Sequence, residues 1–177
     1  EATAAGILDC RTALEISEGD FNKAVDYLRE KGLAKAAKRM SREAKDGLVT
    51  AYIHAGGRIG VLVEVNCETD FVARTDEFKT LVNNIAMQIA AMSPRFVRRE
   101  DIPESVIAHE REVFRAQALE EGKPEAVVDR IVEGRIEKFY QEACLLEQAF
   151  IRDEERTVDD IIKDALTRTG ENMLVRR

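Results

Sequence analysis

The sequence predicts an α+β protein, and the changing period of its apolar residues carries that prediction. Apolar residues recur at helical spacing in residues 1–32, alternate within 48–54 and 58–66, and return to helical spacing from Phe78 onward. One alternating segment between helical ones is typical of an antiparallel sheet backed by helices. Composition agrees, since 45% apolar and 34% charged residues suit a helix-rich globular chain, and 6% aromatic residues without Trp predict an aliphatic core.

Residues 1–32 predict a small helical unit. A short helix with four apolar positions is followed by the turn SEGD (17–20), in which Asp20 is positioned to cap a second helix that ends at Gly32. So small a unit buries little surface, and the chain opens without Met, so a further helix is expected before residue 1. The apolar positions are Ile7, Leu8, Ala13 and Leu14 in the first helix, and Phe21, Ala24, Val25 and Leu28 on one face of the second.

A basic connector follows at 33–46 and is expected to be helical, because it is rich in Ala, Lys and Arg. Residues 29–45 hold seven basic and two acidic side chains inside a chain whose net charge is −7. The overall charge argues against general affinity for a nucleic-acid backbone. The basic stretch is either a docking surface or a solvated helix face, and its composition leaves both interpretations open.

The alternating segment predicts a β-hairpin. LVTAYIH (48–54) and RIGVLVEVN (58–66) form the strands, and the intervening AGG supplies a turn with positive φ. One apolar face of the hairpin consists of Ile59, Val61, Val63 and Val65.

Residues 76–92 predict an amphipathic helix that covers this face and stops at Ser93-Pro94. Its apolar stripe contains Phe78, Leu81, Val82, Ile85, Ile89 and Met92.

Two longer helices, 104–121 and 125–147, predict an antiparallel helical hairpin around Gly122-Lys123-Pro124, where Gly closes one helix and Pro begins the next. In the second helix the apolar residues step by four and three, as a two-helix seam requires. The seam of the first helix is interrupted by Arg111. The seam residues are Ile107, Phe114 and Ala118 in the first helix, and Val132, Ile136, Phe139, Ala143 and Leu146 in the second.

The C-terminal part predicts a charged loop, IRDEER (151–156), and then a helix capped by Thr157 and ended by Gly170. Residues 171–177 are expected to add a third strand to the sheet. The apolar positions of that helix are Ile161, Ile162 and Leu166.

Chemistry-bearing patterns are scarce. The three cysteines, Cys10, Cys67 and Cys144, show no zinc-ligand spacing and predict reduced thiols in the cytoplasm. Cys67 lies beside Glu68 and Asp70, and these acids raise rather than lower the pKa of a thiol, which favours a small buried hydrophobe. His54 and His109 accompany no nucleophile motif, and no apolar run approaches a membrane span.

No catalytic residue, metal site or cofactor is therefore predicted. A small hydrolase that uses Cys67 or His54 remains as an alternative.

The stretch NCETDFVAR (66–74) lies where a predicted strand leads into a helix. Thr69 suits an N-cap and Asp70 suits the first helical turn, where it complements the helix dipole. Phe71 and Val72 have two interpretations. They either secure the turn to the core, which the residues alone favour, or the turn presents the Phe71 ring outward as a binding anchor.

These nine residues resemble the signature of bacterial elongation factor Ts, the nucleotide exchange factor of the translational GTPase elongation factor Tu. Two further segments occur in the same order as in that family: ATAAGILDCRTALEISEGDFNKAVDYLREKG and EEGKPEAVVDRIVEGRIEKF. The resemblance covers essentially the whole chain.

The resemblance implies a domain organisation. Residues 1–32 would form a helical domain similar to ubiquitin-associated domains, 33–46 a basic linker, and 47–177 an α+β core with a coiled-coil hairpin inserted at 104–147. One core hairpin is similar to the short form of the family, which implies a possible homodimer.

The resemblance also implies a function. The chain would bind elongation factor Tu in the cytoplasm and promote GDP and Mg²⁺ release during translation elongation, acting by binding and without direct contact to nucleic acid. Thr69, Asp70, Phe71 and Val72 would contact the GTPase, with Phe71 as a wedge and Asp70 disturbing the Mg²⁺ site. Ile7 and Leu8 take the place of a Met pair through which the N-terminal domain grips the GTPase. The alternative is a protein-binding adaptor that uses the N-terminal helical domain.

Overall fold

The computed structural model describes residues 5–177, apart from the side chains of residues 33–38. Two compact units divide the chain. The first comprises the residues up to Leu48 with Val65–Leu81 and Ile162–Leu174, and the second comprises Val49–Glu64, Val82–Ile161 and Val175–Arg177. Among the residues so described, none of the helices has the length and apolar character needed to cross a membrane.

The predicted α+β class is confirmed. A small antiparallel sheet has the strand order β1-β2-β5, a two-stranded ladder joins β3 to β4, and helices make up most of the remaining chain. The elements are α1 Ile7–Ile16, α2 Phe21–Met40, β1 Asp46–Ile53, β2 Gly60–Cys67, α3 Asp70–Ala73, α4 Asp76–Met92, α5 Glu104–Glu120, α6 Glu125–Ala143, β3 Ala149–Phe150, β4 Asp153–Thr157, α7 Val158–Thr169 and β5 Met173–Val175, with 3₁₀ turns at Arg99–Asp101 and Leu145–Glu147.

The second N-terminal helix, α2, begins where the sequence predicted. Asp20 caps α2 by accepting a hydrogen bond from the Lys23 backbone N–H at 3.1 Å. The expected end at Gly32 is wrong, because α2 continues to Met40. A glycine ends a helix by adopting positive φ, and Gly32 does not adopt it. Phe21 is 63% exposed and does not join the predicted buried face.

The domain limits 1–32, 33–46 and 47–177 stay predictions. The likeness of residues 1–32 to ubiquitin-associated domains also stays a prediction.

The predicted β-hairpin is present. Its turn is closed by a 2.9 Å hydrogen bond from the His54 backbone N–H to the Ile59 carbonyl. Val63 and Val65 are buried as expected, whereas Ile59 precedes the strand and is exposed. Gly47 begins the hairpin with φ +142°, and a Cβ there would lie 2.2 Å from the Val65 carbonyl oxygen, so only glycine permits this approach.

Helix α4 keeps its predicted bounds. Phe78, Leu81, Val82 and Ile85 are buried, as their helical spacing indicated. Met92 is exposed because it is the last residue of the helix and lies beyond the buried stripe.

The helices α5 and α6 pack against each other, as the sequence predicted. Their core contains Ala118, Val128, Val132 and Ile136, with Ile107, Phe114, Ile131 and Tyr140 partly buried around it. Arg111, which interrupts the apolar seam of α5, pairs with Glu133 of α6 and thereby adds a polar contact between the two helices. Helix α6 ends at Ala143 instead of 147, because Cys144 is extended and Leu145–Glu147 form a 3₁₀ turn.

The expected loop at 151–156 is wrong in part. Asp153–Thr157 form strand β4, which pairs antiparallel with β3 through Ala149↔Thr157 and Phe150↔Asp153. A strand of exposed charged residues lacks alternating hydrophobicity, so the sequence pattern could not reveal it.

The start and end of α7 are confirmed. The Asp160 backbone N–H donates to Thr157 Oγ1 at 3.1 Å, and the Asp160 carboxylate accepts from the Thr157 backbone N–H at 2.9 Å. Gly170 follows the helix with φ +82°, and the predicted third strand is β5.

Candidate partner-binding site

The TDFV turn (residues 69–72) begins two residues after the end of β2 and contains most of the four-residue helix α3. Thr69 is extended, with φ −132° and ψ 154°, and its Oγ1 accepts a hydrogen bond from the Val72 backbone N–H at 3.4 Å. This is the N-cap that the sequence predicted.

Phe71 points away from the core, and its side chain is 78% exposed. Ala73 is the buried residue of α3. Successive helical residues are about 100° apart around the axis, so the side chain of Phe71, two positions before Ala73, projects to nearly the opposite side of the helix. The interpretation that placed the Phe71 ring in the core is wrong.

Asp70 lies next to the exposed ring and pairs with Arg74 at 2.6 Å. The two residues are one helical turn apart, which is the spacing at which oppositely charged side chains meet. About half of the Asp70 side chain remains exposed to solvent. An aromatic ring and a carboxylate are therefore presented together at the surface.

Glu171 holds the TDFV turn from a distant part of the sequence. Its Oε2 accepts from the Thr69 backbone N–H at 3.0 Å, and its Oε1 accepts from the Thr69 hydroxyl at 2.6 Å. A second bond of the same kind runs beside it, from the Asn172 backbone N–H to Glu68 Oε1 at 2.6 Å. Sequence reasoning missed Glu171, because no local pattern relates residues 102 positions apart.

Asn172 connects the same segment to the end of α2. Its buried side-chain amide donates to the Arg42 carbonyl at 2.6 Å and to the Met40 carbonyl at 3.2 Å. Arg42 in turn lies 3.6 Å from Glu68. The last turn of α2, the residues before Phe71 and the segment after α7 thus share one hydrogen-bond network within the first unit.

Cys67 is buried and its Sγ lies 3.1 Å from the Thr69 carbonyl oxygen. Burial, followed by the charge of Glu171, raises the pKa of the Cys67 thiol to about 11. The predicted direction is confirmed, but burial is the main cause, and the carboxylates that raise the pKa of the thiol are Glu171 and Asp46 instead of Glu68 and Asp70. A thiol with this pKa is protonated near neutral pH and is a poor nucleophile.

The other groups considered for chemistry are at the surface. His54 is exposed and lies 3.1 Å from the Tyr52 hydroxyl, and His109 is exposed on α5. In the part of the chain that the structure describes, His, Cys, Asp and Glu form no group of three that could hold a metal ion.

Ile7 and Leu8 occupy the first turn of α1 and are 88% and 79% exposed. Leu14, Ile16 and Phe21 are also exposed in these two helices. The two N-terminal helices thus carry several large apolar side chains that remain exposed to solvent.

Comparison with known proteins decides the family. The family model described as elongation factor TS matches residues 8–176. The chain belongs to the elongation factor Ts family. It is similar over its whole length to elongation factor Ts of Thermoanaerobacter sp. (strain X514), with 63% identity over 177 residues and 87% of that protein covered.

Other relatives agree. Elongation factor Ts of Moorella thermoacetica is 61% identical over the whole chain with 87% of its own length covered, and that of Thermotoga neapolitana is 57% identical with 89% covered. Membership confirms the resemblance seen in NCETDFVAR and assigns the chain to protein biosynthesis, as an elongation factor concerned with nucleotide exchange.

Proposed function

We propose that this chain binds elongation factor Tu and promotes the release of GDP and Mg²⁺, with Phe71 as the wedge. The observation that carries the proposal is the exposed Phe71 ring on a capped turn within the family signature. Thr69 and Val72 hold the turn, and Asp70 acts on the Mg²⁺ site.

The physical requirement for exchange is differential affinity. A GTPase retains GDP through backbone amides around the phosphates and through Mg²⁺, so spontaneous release is slow. A protein accelerates release only if it binds the nucleotide-free form more tightly than the loaded form. The Phe71 ring supplies that difference if it is solvated in the free factor and inserts only when the nucleotide site is distorted. Full burial of a Phe side chain contributes roughly 1.5–3 kcal/mol.

The N-terminal helices provide a second contact in this proposal. Ile7 and Leu8 are placed outward in the first turn of α1, where an apolar surface of the GTPase can cover them. Two separate contacts allow the factor to hold its partner at one point while it distorts the nucleotide site at another.

A homodimer is part of the proposal, and the exposed face of the β-hairpin supports it. Val49, Ile53 and Leu62 project from neighbouring strands opposite the buried Val63, and each is exposed. A sheet buries an apolar face against another layer. A second copy presents the same face, so a two-fold contact is self-complementary.

Nucleotide release from the GTPase tests the function directly. The chain is mixed with elongation factor Tu loaded with fluorescent GDP, and the fluorescence decay is followed by stopped flow with excess unlabelled GDP. Release that accelerates and saturates with factor concentration supports exchange. Binding without acceleration would favour the adaptor interpretation, and a rate equal to spontaneous release would overturn the proposed function.

A further inference from the structure

We propose that Glu171 and Asn172 are positioning residues for exchange: Glu171 fixes the direction of the Phe71 wedge, and Asn172 ties that wedge to the N-terminal helices. The inference rests on the proposed function and adds to it two residues outside the NCETDFVAR signature. It is carried by the hydrogen-bond network around Thr69 and by the burial of Asn172.

Both carboxylate oxygens of Glu171 accept hydrogen bonds from a single residue, Thr69. One accepts the Thr69 backbone N–H and the other accepts the Thr69 hydroxyl, at 3.0 and 2.6 Å. Hydrogen bonds to an ionised carboxylate are roughly twice as strong as neutral ones. Two of them on the N-cap residue fix its backbone and its side-chain rotamer, and the direction of the following helix turn depends on both.

The bond to Glu171 is compatible with the cap. The Thr69 hydroxyl donates to Glu171, and its oxygen accepts from Val72 at the same time. The proton therefore has one defined position, and Glu171 orients the hydroxyl lone pairs toward the helix. Without the carboxylate, Thr69 is free to rotate and the exposed Phe71 ring moves with the turn.

The position of Glu171 comes from the end of α7. Gly170 ends that helix in the left-handed region, at φ +82°, and the chain then runs beside residues 68 and 69. The contact is reciprocal, since Asn172 donates its backbone N–H to Glu68 while Glu171 accepts from Thr69. Two short segments distant in sequence are thus joined at two adjacent residues.

Asn172 extends the contact to α2. Its side chain is 3% exposed, and its amide nitrogen donates to the carbonyls of Met40 and Arg42. The Met40 carbonyl belongs to the last turn of α2 and lacks an intrahelical donor, so this amide satisfies a group that would otherwise need water. The helix that follows Ile7 and Leu8 in sequence is thereby attached to the segment that holds Thr69.

The two side chains are therefore expected to affect different steps. A mobile wedge docks but distorts the GTPase less, so loss of the Glu171 bonds lowers the maximal release rate. When α2 is no longer attached to this segment, the Phe71 wedge stays in place. The N-terminal helices must then be ordered when the GTPase binds, which costs conformational entropy, so loss of the Asn172 amide weakens binding.

The test measures GDP release from elongation factor Tu over a series of factor concentrations, which gives a maximal rate and a half-saturating concentration. Glu171→Gln can accept only one of the two Thr69 bonds through its amide oxygen. It is expected to lower the maximal rate about tenfold, with the half-saturating concentration within twofold of the unmodified chain. Asn172→Ala is expected to raise the half-saturating concentration about fivefold and to keep the maximal rate.

The matched control is Glu77→Gln, which makes the same chemical change at an exposed pair with Arg168 and leaves Thr69 untouched. Both of its parameters should remain within twofold. A purely structural role for Glu171 would lower the melting temperature and leave the maximal rate per folded molecule unchanged, and that result would overturn the proposal. An unchanged half-saturating concentration in Asn172→Ala would overturn the part assigned to Asn172.

If Glu171→Gln is unstable, Thr69→Val alone tests the contact, and an unchanged maximal rate in that variant would overturn the proposal. Thr69→Val removes the hydroxyl partner of Glu171. If Thr69 and Glu171 act through one contact, the maximal rate of the double variant is no lower than that of the more affected single variant. A fold-loss equal to the product of the two single fold-losses would overturn the proposal. Failure of the unmodified chain to release GDP would instead refute the proposed function.

Discussion

Asp70 and Arg74 form an ion pair of 2.6 Å beside the exposed Phe71 ring. Both side chains are substantially exposed, and an ion pair in such a position contributes only about 0–1 kcal/mol to stability. The Asp70 carboxylate is therefore available to a partner at little energetic cost. This relationship explains how one turn can present both a ring and a negative charge that a partner can draw away from a weak surface ion pair.

Asp70→Asn is expected to slow GDP release about fivefold at millimolar Mg²⁺ and to have little effect in excess EDTA. The reason is electrostatic, because only the charged carboxylate competes with the groups that surround the partner's Mg²⁺. Stopped-flow release in both buffers gives the comparison. Asp76→Asn removes one exposed charge nearby and serves as the control. Equal slowing of Asp70→Asn in both buffers would argue against an effect on Mg²⁺.

Phe71→Ala is expected to slow GDP release about 10- to 100-fold, since the burial of one Phe side chain in the partner is lost. The melting temperature should change little, because the ring is exposed in the free chain. Leu119→Ala removes an exposed apolar side chain from the helical hairpin and is the control. Release at the unmodified rate by the folded Phe71 variant would exclude the wedge.

Joint replacement of Ile7 and Leu8 by Ser is expected to raise the dissociation constant for elongation factor Tu about tenfold or more, because two apolar contacts are lost. Thermal stability should be retained, since both side chains are exposed. Calorimetric titration measures the affinity, with Val127→Ser as a control on α6. Unchanged affinity would remove the N-terminal helices from the contact.

Leu62→Glu is expected to convert a dimer into a monomer, because it places a charge at the centre of the exposed hairpin face, where the same side chain of a second copy would lie. Sedimentation equilibrium over a range of concentrations measures the mass. Val127→Glu introduces the same charge on the helical hairpin and should not alter it. A monomeric unmodified chain at high concentration would refute the homodimer.

The burial of Cys67 predicts a loss of stability at alkaline pH. The thiol has an ordinary pKa near 9.0 when exposed and about 11 in the folded chain, so the unfolded state loses its proton first. Ionisation then favours the unfolded state, and the free energy of unfolding falls as the pH rises from about 9 to about 11.

Urea unfolding across that pH range, followed by circular dichroism, measures the effect. Cys67→Ala should show a shallower fall, because the titrating thiol is absent. An identical pH dependence in the two proteins would show that Cys67 does not contribute.

Local patterns were sufficient for most of the fold. The period of the apolar residues predicted the β-hairpin, α4 and the helical hairpin, and the caps Asp20, Thr69 and Thr157 all make the expected backbone contacts. The family was also recognisable, because its signature is a continuous run of nine residues. These features depend on neighbours within a few positions, which the order of residues specifies directly.

Tertiary structure decided the direction of Phe71 and the partner of Thr69. A one-turn helix has no hydrophobic period, so the sequence allowed the ring to face either way until the burial of Ala73 oriented the turn. Glu171 lies 102 residues from Thr69 and meets it only because the chain folds back after α7. The sequence did not predict the charged strand β4 for a related reason, since its pairing with β3 is a contact that apolar patterning does not encode. Periodicity reports which residues turn inward, whereas the contacts that aim a surface side chain depend on where distant segments meet.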